Sequence, residues 1–98
     1  MPRVILAPRA RRWLHAELAY LAEVHPAAVP SFRERVATAR RMLSEHPHMG
    51  SRATAPGTRR LVVLPYVVTY REKGSDIEIM DIRHSRQAPF RPPDQPRS

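Results

Sequence analysis

His84 is the side chain best suited to move a proton near neutral pH, because an imidazole titrates where most other groups do not. It stands in the run Arg83-His84-Ser85-Arg86, and three further arginines, Arg59, Arg60 and Arg71, precede it in the same half of the chain. Such a set offers candidates, but an incomplete catalytic set, for metal-free attack of a ribose 2′-hydroxyl on an RNA strand. That reaction requires a base, a cation to offset the charge of the phosphorane-like state, and an acid for the leaving 5′-oxygen. Glu72 is the candidate base if it faces the same cleft. The competing reading of His84 is structural, since a histidine that closes a strand commonly hydrogen-bonds an opposing loop. Tyr66 and Tyr70 share one face of a strand and could stack on bases, but the same spacing suits core tyrosines packed beneath helices. His46 and His48, separated by Pro47, lack a third ligand and make a poor metal site. The absence of cysteine excludes thiol chemistry, disulfides and Cys-based zinc sites. No metal and no cofactor is expected.

Charge points toward partners instead. The 98 residues carry 17 Lys and Arg against nine acids, a formal charge of +8, and every cation except Lys73 is Arg. Residues 1–50 hold eight cations and four acids, and residues 51–98 hold nine cations and five acids, so each half is +4. No block of like charge occurs, so the surplus belongs to the folded body and not to a basic tail. Its field reaches about a Debye length, ~8 Å at physiological salt. Nucleic acid, an anionic membrane surface or an acidic protein would each profit, and solubility alone is the plainer alternative. Arg serves bidentate phosphate and carboxylate contacts equally well. The longest apolar runs, such as Leu61 to Leu64, are far too short to span a membrane, and Met1 to Pro8 is too brief for a signal peptide. With 42% hydrophobic residues the chain reads as one small globular domain of the cytoplasm.

The elements that must position these residues follow from periodicity. Val4-Ile5-Leu6 before Pro8 reads as a strand. Leu14, Leu18 and Leu21 then fall on one helical stripe, with Trp13, Tyr20 and Val24 on the adjoining one, and Pro26 ends the helix. Phe32, Val36, Ala39 and Leu43, with Met42 beside them, mark a second helix from about Ser31 to Pro47. The two helices form a hairpin. Residues 48–57 read as a loop, and three strands follow: Thr58 to Leu64, Tyr66 to Glu72, and Asp76 to His84, the last two joined by Lys73-Gly74-Ser75. In the last strand the apolar parity shifts from Ile77 and Ile79 to Met80 and Ile82, which predicts a bulge or burial on both faces. The order β-α-α-β-β-β predicts a two-layer α+β domain, a helical hairpin packed on a small twisted antiparallel sheet. Residues 1–88 form the expected domain, and 89–98 a proline-rich tail.

These features together resemble the ParE/RelE superfamily of toxins from bacterial type II toxin–antitoxin modules, the plasmid-stabilisation type. A short strand leads into a long amphipathic helix. The second helix ends in Leu43-Ser44-Glu45-His46-Pro47-His48-Met49-Gly50, similar to the family's L-x-x-x-P-x-x-G. The basic strand Thr58-Arg59-Arg60-Leu61 follows, then Tyr66-Val67-Val68-Thr69-Tyr70-Arg71 and Ile77 to Arg86. The resemblance spans about residues 3 to 88 and implies a growth-inhibiting toxin held in a hetero-oligomer by a cognate acidic antitoxin.

Two branches of that superfamily differ in chemistry. RelE-like members are ribosome-dependent endoribonucleases that cut messenger RNA, and for them Arg59, Arg60, Arg71, Arg83, His84 and Arg86 would form the catalytic set without a metal. ParE-like members poison DNA gyrase by protein contact. The ribonuclease branch usually has a Lys-rich surface and a Tyr near the C-terminus, whereas this chain has one Lys and no Tyr after Tyr70. The ParE-like branch is therefore preferred, with a non-enzymatic action. On that reading Arg59, Arg60, Arg71, Arg83 and Arg86 are expected to bind the antitoxin. Arg9, Arg11, Arg12 and His84 are expected to face the gyrase target. An acidic, partly disordered antitoxin segment would order on binding, by strand addition at an open sheet edge or by helix docking.

Overall fold

A computed structural model describes residues 1–86. The expected domain end at residue 88 and the proline-rich tail, 89–98, lie outside the described residues. The chain opens with β1 (Val4–Leu6) and α1 (Pro8–Val24), and a single 3-10 turn at Pro26–Ala28 leads into α2 (Val29–Glu45). Proline occupies the first turn at the start of α1, where its missing N–H leaves no bond unmade. A two-residue strand, β2 (Ser51–Arg52), precedes β3 (Thr58–Val63), β4 (Tyr66–Lys73) and β5 (Asp76–His84). The domain has the two α+β layers anticipated from the sequence.

The sheet differs from the expected one in two respects. It has five strands in the order β1-β5-β4-β3-β2, and β1 lies parallel to β5 while all other pairs are antiparallel. The helical hairpin returns the chain across the sheet, so the first strand ends beside the last and the sheet is mixed. The added strand, β2, pairs Ser51 with Arg60 and Arg52 with Arg59 inside the stretch expected to be loop. Two residues carry no readable alternation.

The parity shift in β5 is a bulge. Thr69 pairs with Asp81 and Tyr70 with Ile79, leaving Met80 as the extra residue. The bulge keeps Ile77, Ile79 and Ile82 all in the core with Val68, Tyr70, Leu61, Val4, Ala10, Ala39 and Leu43. Strand alternation then sends Glu78, Thr69, Val67 and Arg83 to the opposite face.

Helix α2 buries the stripe its spacing predicts, with Phe32, Ala39 and Leu43 inside. Helix α1 does not. Only Ala10 is fully buried there, and Tyr20 and Val24 are 58% and 60% exposed. The small Ala10 side chain lets the start of α1 approach β5 closely. Polar side chains tie the layers together. Arg40 donates to the Val4 carbonyl at 2.8 Å, Ser44 to the Pro2 carbonyl at 3.0 Å, and Arg35 to the Leu64 carbonyl at 2.7 Å.

Candidate functional site

The arginines singled out by the sequence are distributed over both ends and both faces of the sheet. At one end, Arg71 pairs with Glu78 through Nε–H···Oε1 at 2.8 Å, and the ammonium of Lys73 lies 3.5 Å from the other carboxylate oxygen of Glu78. Neighbouring Arg59 points to the helix side, where it donates to the Gly50 carbonyl at 2.9 Å and to the His48 carbonyl at 3.3 Å. His48 is paired with Glu72. Arg60 alternates to the opposite face and makes no side-chain hydrogen bond or ion pair with a described residue. Some of these groups line a cleft of about 720 Å³ between the 47–58 segment and β4, walled by Pro47, His48, Arg52, Arg59, Arg71 and Glu72.

At the other end stand Arg83, His84 and Arg86. Tyr66 lies directly opposite His84 in the sheet, and their rings meet edge to face with centroids 6.0 Å apart. The Arg86 N–H donates to Nδ1 of His84 at 3.2 Å, which places the proton of the neutral ring on Nε2. Ser85 N–H donates to the Pro65 carbonyl at 2.8 Å, and Arg83 donates to the His84 carbonyl at 3.3 Å. Ser85 thus fastens the end of β5 to the turn between β3 and β4, and the His84 ring packs on Tyr66 beside it.

The two ends do not meet. Arg71 faces Glu78 across the β4–β5 ladder and Tyr66 faces His84. Five residue steps along β4 separate these rungs, roughly 17 Å at the usual rise. One scissile phosphate spans far less. The structure brings Arg59, Arg71 and Glu72 together and holds them apart from Arg83, His84 and Arg86, so Glu72 does not share a cleft with His84.

Tyr70 belongs to the interior, and Tyr66 is half-buried against the core. Tyr66 packs edge to face against Phe32 at 5.4 Å and Trp13 at 5.8 Å, and Trp13 also meets Phe32 at 6.3 Å across the hairpin. Tyr70 is 1% exposed, and its hydroxyl accepts the Gly50 N–H at 2.9 Å. Burial pushes both phenols above their ordinary value. Glu17 adds to the rise at Tyr66 while Arg35 opposes it; at Tyr70 the Gly50 hydrogen bond and Arg59 oppose it. Neither ring is a platform for bases.

The Gly50 contact also explains the glycine that ends the L-x-x-x-P-x-x-G stretch. A Cβ there would lie 2.7 Å from the Tyr70 hydroxyl and 2.8 Å from the Arg60 carbonyl, so only glycine admits this approach.

Of the residues expected to face a target, Arg9 is held by Asp81, with Nε–H···Oδ1 at 2.8 Å and the carboxylate almost wholly buried. Arg11 donates to the Leu6 carbonyl at 3.3 Å. Arg12 is exposed and makes no side-chain hydrogen bond or ion pair with a described residue. His46 caps the end of α2 through its backbone N–H to the Met42 carbonyl at 2.8 Å. Among the described residues no three His, Cys, Asp or Glu side chains cluster as metal ligands, and no helix is long and apolar enough to cross a membrane. The sequence reading missed Arg52, which stood in an apparent loop, and the buried acids Glu78 and Asp81. The acids carried a signal: Glu78 is flanked by Ile77 and Ile79, and Asp81 by Met80 and Ile82.

The strand, helical hairpin and closing antiparallel strands define a RelE/ParE-like α+β domain. It is similar to a solved structure titled the chromosomal ParDE TA system from P. aeruginosa, with a TM-score of 0.70 over 86% of this chain and 96% of that chain. At 21% identity that likeness concerns the fold alone. No curated protein sequence matches the chain. Family assignment comes from the sequence model described as "ParE toxin of type II toxin-antitoxin system, parDE", which matches residues 4–89. The chain belongs to this ParE toxin family.

Proposed function

We propose that this protein is a cytoplasmic toxin that inhibits growth by binding and poisoning DNA gyrase, and that a cognate acidic antitoxin neutralises it in a hetero-oligomer. Membership of the ParE family supports the toxin assignment. The observation that carries the choice of mechanism is the separation of Arg71 from His84 at opposite ends of the sheet. A base, a phosphate-binding cation and an acid acting on one phosphate must lie within hydrogen-bond reach of it. That geometry favours action by protein contact over metal-free RNA cleavage.

Antitoxin contacts are assigned to Arg60 and Arg83 on the face opposite the helices, to Arg86 at its end, and to Arg59 and Arg71 beside the cleft. Arg59 and Arg71 retain N–H groups beyond those used internally, which is the fork chemistry that carboxylates suit. Target contacts are assigned to exposed Arg12, with Arg9, Arg11 and His84.

Expression from a tightly controlled promoter tests the mechanism. Gyrase poisoning produces filaments and a DNA-damage response before protein synthesis falls. An immediate halt in translation with cleaved messenger RNA would show the RelE-like ribonuclease activity instead. Co-expression with an acidic product of an adjacent reading frame tests neutralisation: growth resumes and both proteins elute together.

A further inference from the structure

The cleft at the Arg71 end of the sheet has walls of two kinds. Arg52, Arg59 and Arg71 supply cationic donors, while Pro47, Ala55 and Pro56 supply small apolar surface. Arg52 is exposed on a two-residue edge strand and makes no side-chain hydrogen bond or ion pair with a described residue. Arg71 uses its Nε–H on Glu78, and Arg59 uses one terminal nitrogen on two carbonyls. Each guanidinium has more donors than these bonds consume. The acid in the wall, Glu72, is engaged by His48. A volume near 720 Å³ lies within the range of sites that enclose small ligands or short peptide segments.

The walls also discriminate between anions. Single-stranded nucleic acid is gripped by aromatic faces interleaved with cations; no Phe, Tyr or Trp is among the described residues that line this cleft, and its one imidazole, His48, is paired with Glu72. Tyr70, the nearby ring, is buried beneath Gly50. Small apolar walls beside guanidinium forks suit a peptide that alternates carboxylates with small side chains.

We propose that this cleft is an acidic-peptide site, in which Arg52 together with the unused donors of Arg59 and Arg71 grips carboxylates of an extended segment. The proposal rests on the antitoxin reading for its source: the segment belongs to the antitoxin. Arg52 becomes a specificity residue, and Glu72 sets a ceiling on affinity by opposing the ligand's charge.

A fluorescent octapeptide of alternating Glu and Ala, titrated into the full-length protein, is the test. Arg52→Glu weakens binding about tenfold or more, since a fork–carboxylate bond is exchanged for repulsion. Arg12→Glu, the same charge change on α1, leaves it within about twofold. Glu72→Gln strengthens binding, a gain that misfolding cannot imitate. Equal losses from Arg52→Glu and Arg12→Glu would reduce the cleft to general electrostatics and overturn the proposal. So would competition by an oligouridylate of equal charge at equal concentration. Size-exclusion chromatography with the antitoxin separates the two layers of the argument. A complex unaffected by Arg52→Glu removes the cleft and leaves the antitoxin reading intact. If wild-type protein forms no complex, the antitoxin reading falls while the peptide titration still judges the cleft.

Discussion

Tyr70 and Gly50 show at the residue scale how one contact can fix a loop, a strand and a motif together. The phenol crosses from β4 to receive the Gly50 N–H, and the missing Cβ is what lets the backbone come so near. Gly50→Ala must displace a buried ring or the β3 backbone, and overpacking of this kind costs about 1–3 kcal/mol. The expected outcome is a lower urea midpoint at an unchanged m-value. Tyr70→Phe leaves the Gly50 N–H without its partner and costs about 1–3 kcal/mol. Alkaline pH reports the same burial. The Tyr66 and Tyr70 pKa values are raised above 10.0 in the folded protein, so the native state holds these protons more tightly than the unfolded chain. Their contribution is complete below pH 10.0 and is lost as pH rises through the folded values. Unfolding monitored against pH in the Tyr66→Phe and Tyr70→Phe variants should show a shallower alkaline decline than wild type. Equal slopes in all three proteins would remove the tyrosines as the cause.

Between residue and molecule, the long periodic elements were legible in the sequence and the short or bent ones were not. Helix α2 buries the Phe32, Ala39 and Leu43 stripe because the apolar spacing repeats over about three turns and leaves no competing register. Leu43→Ala, at a fully buried position, is accordingly expected to cost about 2–5 kcal/mol, read as a fall in thermal midpoint. Helix α1 misled at its second half, where Tyr20 and Val24 on the adjoining stripe are exposed while Leu18 and Leu21 are half-buried. Periodicity records a stripe but not where the partner surface ends. Strand β2 escaped because its two residues are held by pairing with Arg59 and Arg60, a tertiary cause. The candidate site was half legible. Residue types identified the arginines, but only the ladder register reveals that Arg71 and His84 stand on distant rungs. Asp81 illustrates the cost of such placement. Arg9, from the start of α1, reaches the buried carboxylate beside the bulge and ties helix to strand. Arg9→Ala leaves that carboxylate unpaired and should destabilise the fold. Adding Asp81→Asn to Arg9→Ala should recover part of the loss, and a double-mutant cycle measures the coupling. Zero coupling would make the bridge incidental.

On the scale of the whole molecule, internal pairing consumes few of the cations. Glu78, Asp81, Asp76 and Glu72 each meet a basic side chain, yet the chain retains a formal +8. Exposed Arg12, Arg52, Arg60 and Arg86 lie on α1, β2, β3 and the segment after β5, so the field surrounds the domain. A dispersed field of one sign accelerates encounter with an oppositely charged chain without dictating its final pose, and local forks such as Arg52 then set how long it stays. Salt should therefore act chiefly on association. Stopped-flow mixing with the acidic antitoxin should show the association rate falling about tenfold or more between low and high salt, with the dissociation rate changing much less. Arg12→Glu should lower the association rate and leave dissociation nearly untouched, whereas Arg52→Glu should chiefly speed dissociation. A salt-insensitive association rate would mean that the positive surplus serves solubility alone, and that the antitoxin is selected by shape.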